Sequence, residues 1–231
     1  MIKKDVGIVF IILAAMIFIM SIISPAFRTA DNIGNVIVQV VPLAIASVGQ
    51  TFAILSAGID LSIGSVISLT TAIASVSVGV GGSMGILKSL LMVLAMSVGV
   101  GLLNGMAVAR LSVPPMITTI AMSTILQGIA FKLRPAPGGF VPADYAGVVT
   151  ARAGLLSMPL LVLIIVAALA TYVLNNTVFG KHLYAVGGNR KVARSMGVNT
   201  RKVTIQAYLW CSILASISGL ILTGRIRAGD P

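Results

Sequence analysis

Gly180-Lys-His-Leu-Tyr-Ala-Val-Gly-Gly-Asn-Arg-Lys-Val-Ala-Arg-Ser-Met-Gly-Val-Asn-Thr-Arg-Lys202 lies between two runs of almost unbroken hydrophobicity. It holds Lys181, Arg190, Lys191, Arg194, Arg201 and Lys202 without one acidic residue, in a chain of which only 9% is charged. Short loops this rich in Lys and Arg stay on the cytoplasmic side of a membrane. The stretch therefore orients the apolar segments on either side of it.

Those segments dominate the composition. The chain has 231 residues, 58% of them hydrophobic, and a mean hydropathy of +1.08, far more apolar and less charged than a soluble domain. In a soluble protein a net charge of +11 would point to nucleic acid. Here the basic residues sit in short loops and at the ends of apolar runs, where each gains about 1 kcal/mol near anionic lipid. Membrane lipid thus accounts for the charge, and no nucleic-acid partner is expected. The lone Cys211 cannot form an intrachain disulfide, and the lone His182 has no neighbouring Cys or carboxylate, so a structural zinc or disulfide framework is not expected. Lys3 and Lys4 precede an apolar run to Ile23 that exceeds a signal-peptide core and ends at Ser24-Pro25 without a small-x-small cleavage site. It reads as an uncleaved first span.

With about 20 apolar residues per crossing, the spans are Val6 to Ser24, Val36 to Ala57, Leu61 to Val80, Ser89 to Ala109, Met116 to Phe131, Leu155 to Leu174 and Val203 to Thr223. The expected fold is all-α: a polytopic transmembrane bundle of about seven helices, one membrane domain over residues 1–231. With the amino terminus inside, parity places 177–202 in the cytoplasm although the spans were drawn without reference to charge. Lys132 to Arg152, carrying Pro135, Pro137, Gly138, Gly139 and Pro142, reads as an external loop in which regular helix is not expected. A re-entrant segment at 58–64 or 110–116 would change the count by one or two.

Three groups of residues are candidates for function. Asp60, one of five acidic residues, lies in Ala57-Gly-Ile-Asp-Leu-Ser-Ile-Gly-Ser65 between two apolar spans. A carboxylate at depth is costly, about 2.5 to 3.5 kcal/mol on insertion scales, and marks a functional site by default. Asp is also a leading helix cap, and the cap reading, with its carboxylate on Ser62 or Ile63 N–H and Gly58 supplying the turn, leads on the residues alone. Within the basic loop, Asn189 can cap a helix from Arg190 to Met196 closed by Gly197 in the left-handed conformation. Val192 and Met196, spaced i and i+4, share a face of it with Arg190 or Arg194 beside it, and Ala193 belongs to the same segment. Behind a Gly187-Gly188 hinge, this would be a rigid peg for docking; the plainer alternative is a surface helix on lipid. Finally, Gln39 and Gln50, and a Thr119, Ser123, Gln127 stripe, could line a path for a hydroxylated solute or simply hydrogen-bond between helices. Gly101/Gly105 and Ala215/Gly219 are small-xxx-small packing pairs.

No phosphate-binding loop, no H-E-x-x-H and no Ser/His/Asp set occurs. Catalysis is not expected of this chain: it binds no cofactor, and any ATP and Mg would be handled by a partner. The residues alone leave open an ion- or proton-coupled carrier using Asp60 and a non-transporting membrane protein.

Ser56-Ala-Gly-Ile-Asp-Leu-Ser-Ile-Gly64, Asn104-Gly-Met-Ala-Val108, Val113-Pro-Pro-Met-Ile-Thr-Thr119 and Phe179 through Val198 resemble the permease subunits of ribose-type ABC sugar importers (ribose, galactose, xylose or autoinducer-2-like). The resemblance runs in order from about Asn32 to the last residue. It implies that Gly187 to Gly197 is the cytoplasmic segment that docks on an ATPase subunit and that Gly58, Asp60, Ser62 and Gly64 lie in the membrane core. It implies a small sugar-like solute, an ATP-binding subunit, a periplasmic sugar-binding protein, a second permease copy (identical or related) and a bacterial inner-membrane location. Two departures stand out. Family members continue beyond Arg225-Ile-Arg-Ala-Gly-Asp-Pro231 through further spans, so the chain is expected to be truncated at its carboxyl end. Arg190-Lys191 and Ser195-Met196 replace small and apolar residues.

Overall fold

A computed structural model describes residues 2–78, 82–153 and 156–231, with side chains from residue 7 onward except that of residue 153. The described elements are helices α1 (Ile2–Ile23), α2 (Ala30–Leu55), α3 (Ile63–Ser77), α4 (Ser83–Ala109), α5 (Pro115–Leu133), α6 (Ala143–Thr150), α7 (Met158–Asn176), α8 (Val178–Gly188), α9 (Arg190–Ser195) and α10 (Thr200–Ile226), a 3-10 turn at Pro25–Arg28, and an antiparallel pair of two-residue strands, β1 (Arg152–Ala153) and β2 (Leu156–Ser157). Five of these, α2, α4, α5, α7 and α10, are long and apolar enough to cross a membrane, and the shorter apolar helices Gly7–Ile23 and Ile63–Ser77 bring the number to the seven expected. The expected span ends Val80 and Leu155 lie outside the described residues.

α10 is the central post, packed against α4, α2 and α3 and flanked by α6 and α8. Small residues make this possible. A Cβ on Gly101 would lie 2.8 Å from Leu209 Cα, and one on Gly105 would lie 2.7 Å from Ile205 Cα, so α4 and α10 touch backbone to backbone, as small-xxx-small pairs allow. On one side of α10, Ile45, Phe52, Leu183 and Leu214 form an apolar cluster joining α2, α7 and α8. On the other, Leu69, Val93, Leu126 and Ala215 join α3, α4 and α5. Pro42 lies inside α2, and its carbonyl accepts a 2.6 Å hydrogen bond from Ser218 Oγ of α10. That bond ties α2 to α10; the bond Pro42 removes is the one its missing N–H would have made to the Val38 carbonyl.

The structure corrects the sequence reading of the spans and loops in four places. The third span is a 15-residue helix, about 22 Å long at 1.5 Å per residue, and irregular backbone from Ser56 to Ser62 precedes it. The proline-rich external segment does contain a helix, α6, because Pro142 occupies its N-cap position and leaves the interior free of proline. The basic stretch is mostly helical. α8, started by Thr177 whose side chain accepts the Gly180 N–H at 3.2 Å, runs through Gly187 and Gly188, so these are its last turn and not a hinge. Gly187 is required there by contact: a side chain would collide with the Leu55 carbonyl at the end of α2. Lastly, Gln39 is exposed whereas Gln50 is half-buried against α10, so the two do not share one environment.

Candidate functional site

α9 is a short rigid projection whose ends are both closed by its own sequence. Asn189 Oδ1 accepts the N–H groups of Lys191 at 3.0 Å and Val192 at 3.1 Å. At the other end Gly197 has φ +84°, Val198 N–H bonds the Ala193 carbonyl at 3.0 Å and Gly197 N–H bonds that of Arg194 at 3.1 Å. This pair of bonds is the Schellman closure, for which glycine avoids the Cβ penalty of the left-handed conformation. The helix ends at Ser195, with Met196 as its C-cap, one residue short of the expected end. Ala193 is buried, while Val192 is 57% and Met196 79% exposed: a fixed apolar tip facing away from the bundle.

The base of the projection is tied inward. Arg190 Nη2 donates to Thr204 Oγ1 of α10 at 2.6 Å. Phe179 of α8 and Trp210 of α10 each stack with buried Phe52 of α2, with ring centroids 6.4 and 5.4 Å away. α8, α2 and α10 therefore meet in one aromatic joint.

The segment from Ser56 to Gly64 lies at the same end of the bundle. α2 closes with Ala57 in the left-handed region, φ +60°, and with bonds from Ala57 N–H to the Ile54 carbonyl (2.9 Å) and from Gly58 N–H to that of Ala53 (3.0 Å). Ala57, and not Gly58 as the sequence reading has it, takes the turn conformation. Gly58 is glycine for another reason: a Cβ there would lie 2.5 Å from the Tyr208 hydroxyl oxygen. Asp60, 3% exposed, accepts on Oδ1 the Ser62 N–H at 2.8 Å and the Ser62 hydroxyl at 2.5 Å. It thus holds the turn just ahead of α3, two residues before the N-cap position, Ser62. Asn104 Nδ2 of α4 donates to Ser62 Oγ at 2.9 Å, and Thr119 Oγ1 of α5 reaches the carbonyls of Pro115 at 3.0 Å and Ile59 at 3.3 Å. Two spanning helices thereby pin the break. Among the described residues, Asp60 Oδ2, Asn104 Oδ1 and the Tyr208 hydroxyl are buried without a hydrogen-bond partner.

The remaining predicted residues fall outside this knot. Ser123 Oγ is 2.7 Å from Ser65 Oγ, and Gln127 Oε1 is 3.5 Å from it, so the α5 stripe faces α3. Gln50 Oε1 accepts from Cys211 Sγ at 3.7 Å. Gly64 is exposed, and a Cβ there would meet nothing. A cleft of about 190 Å³ bounded by Ser56 to Gly58, Val108, Ser112 to Pro115 and Arg190 connects α9 to the Asp60 turn.

The family model described as "Branched-chain amino acid transport system / permease component" matches residues 32–231. The chain belongs to this permease family. The permease is 37% identical over 227 residues to the ribose import permease of Haemophilus influenzae, covering 96% of this chain and 70% of that one. It is 31% identical over 213 residues to an inner membrane ABC transporter permease of Escherichia coli (89% and 63% covered), and 27% identical over 225 residues to the D-allose transport system permease of the same organism (96% and 68% covered). No solved structure matches it. It is a transmembrane permease component of an ABC importer, and between the readings that Asp60 left open the family decides against an ion-coupled carrier.

Two residues of the permease's site escaped the sequence reading: Thr204, which accepts from Arg190, and Tyr208, whose hydroxyl oxygen requires a glycine at position 58. Polar side chains inside an otherwise apolar span were the available signal.

Proposed function

We propose that the permease moves a sugar or sugar-like solute by alternating access in the bacterial inner membrane, with its amino terminus and residues 177–202 cytoplasmic. ATP with Mg is bound and hydrolysed on a partner subunit, a periplasmic binding protein delivers the solute, and a second permease copy, identical or related, completes the pathway. The sugar class is supported by the similarity to ribose and D-allose permeases, and the sidedness by the run of cations without carboxylates. The observation that carries the coupling role is the projection: α9 is capped at both ends, presents Val192 and Met196 outward, and is tied at its base to α10 through Arg190.

In this reading Asn189, Arg190, Val192, Ala193, Arg194, Met196 and Gly197 form the coupling element, seated on Gly187 and Gly188. The Asp60, Ser62 and Asn104 knot is the hinge between α2 and α3 on which its movement acts. Replacing Arg194 with Glu together with Gly197 with Val should abolish copurification of the ATP-binding subunit while the permease still inserts. Retained assembly with solute-stimulated ATP hydrolysis would contradict the docking role.

A further inference from the structure

A second feature adjoins the coupling element, meeting it at Gly197. Two clefts open side by side where α10 begins. One, of about 450 Å³, is bounded by Arg110 at the end of α4 and by Arg201, Lys202, Ile205 and Gln206 of α10. The other, of about 460 Å³, runs toward α8, past Phe179, His182 and Gly197, and shares Asn199, Lys202 and Gln206 with the first. The fold has brought Arg110 to Arg201 and Lys202 across some ninety positions of sequence, yet no carboxylate borders either cleft. Arg201 and Lys202 also occupy the first turn of a 27-residue helix, where the positive end of the helix dipole disfavours cations. Three cations gathered against that dipole call for an anion from outside the chain.

The surroundings indicate which anion. The clefts sit at the end of the α4–α10 seam, and half-buried Leu102, Met106, Ile205 and Leu209 continue it toward the middle of the spanning helices. Polar atoms at the mouth and a strip of aliphatic surface below match a phosphate headgroup with acyl chains. Basic pockets between spanning helices on the cytoplasmic side are lipid sites of this kind. Two adjoining clefts with a shared lysine suit a headgroup with two phosphates. We propose that this double cleft binds an anionic phospholipid of the cardiolipin type, held by Arg110, Arg201 and Lys202.

The test is native mass spectrometry of the purified chain with cardiolipin, phosphatidylglycerol or phosphatidylethanolamine. At about 1 kcal/mol per basic residue and a factor of ten per 1.4 kcal/mol, three cations give cardiolipin a preference on the order of a hundredfold over phosphatidylethanolamine. Arg110→Gln/Arg201→Gln/Lys202→Gln should remove it, and Lys191→Gln should not. Equal retention of all three lipids, or a triple variant that keeps the preference, overturns the proposal. So does displacement of cardiolipin by equal inorganic phosphate, which would mark a free-anion site, or by the ATP-binding subunit, which would mark a protein contact. If the triple variant does not fold, the wild-type chain decides: cardiolipin must raise its unfolding temperature well above the effect of phosphatidylethanolamine, and equal shifts overturn the site. None of these readouts depends on the transport reading.

Discussion

Arg190, the first residue of α9, donates to Thr204 Oγ1 at 2.6 Å, and Thr204 Oγ1 in turn donates to the Thr200 carbonyl at 2.9 Å. One side chain thus fixes the projecting helix to the central post of the bundle. Hydrogen bonds to charged groups contribute about 1.5–3 kcal/mol, and the lower end applies at this part-buried position. Arg190→Ala should therefore raise amide hydrogen exchange in α9 by on the order of tenfold, leaving the core of α10 protected. Unchanged exchange in α9 would mean that the caps alone hold it.

The caps make a separate prediction. Asn189→Ala removes the acceptor for two N–H groups and should cost about 1 kcal/mol of local helix stability, whereas Asn189→Ser should keep most of it. Gly197→Ala places a Cβ at φ +84° and should cost about 1–2 kcal/mol. Both are read as faster exchange at Lys191, Val192 and Val198.

Gly58 and Tyr208 form a steric pair. Gly58→Ala puts a methyl 2.5 Å from the tyrosine oxygen and should destabilise the protein by about 1–3 kcal/mol, the usual range for overpacking. Tyr208→Phe removes that oxygen, which has no hydrogen-bond partner, so alone it should be close to neutral or stabilising. The double variant should recover most of the loss in thermal unfolding. Additive losses would show that the clash is not the cause.

Gly105→Leu should be far worse than Gly128→Leu. A side chain at Gly105 meets the backbone of Ile205, whereas at Gly128 there is open space. Folded yield and unfolding temperature in detergent should fall sharply for the first and change little for the second.

What could be seen in the sequence was what is local. The Asn189 to Gly197 motif is legible because a cap and a left-handed glycine act within a few residues of the helix they bound, and the spans because hydrophobic length needs no partner. α8 was hidden because glycine pairs and dense charge imitate a loop; only its packing against Leu55 of α2 makes it helical at Gly187. The Ala57 turn conformation, the Gly58 and Tyr208 contact and the Arg190 bond to Thr204 depend on α2, α9 and α10 meeting in space. Gly58 and Tyr208 lie 150 positions apart, and no local pattern records their approach.

Met196 is the most direct probe of the central claim, that α9 is the coupling element for an ATP-binding subunit. It is 79% exposed, and the chain's single cysteine, Cys211, is buried and can be replaced with alanine to give a clean background. In that background Met196→Cys should crosslink to the ATP-binding subunit through a short bismaleimide, and Phe140→Cys, exposed in the segment expected on the other side of the membrane, should not. Absence of a Met196 crosslink in the assembled transporter, or an equal one from Phe140, would contradict the account.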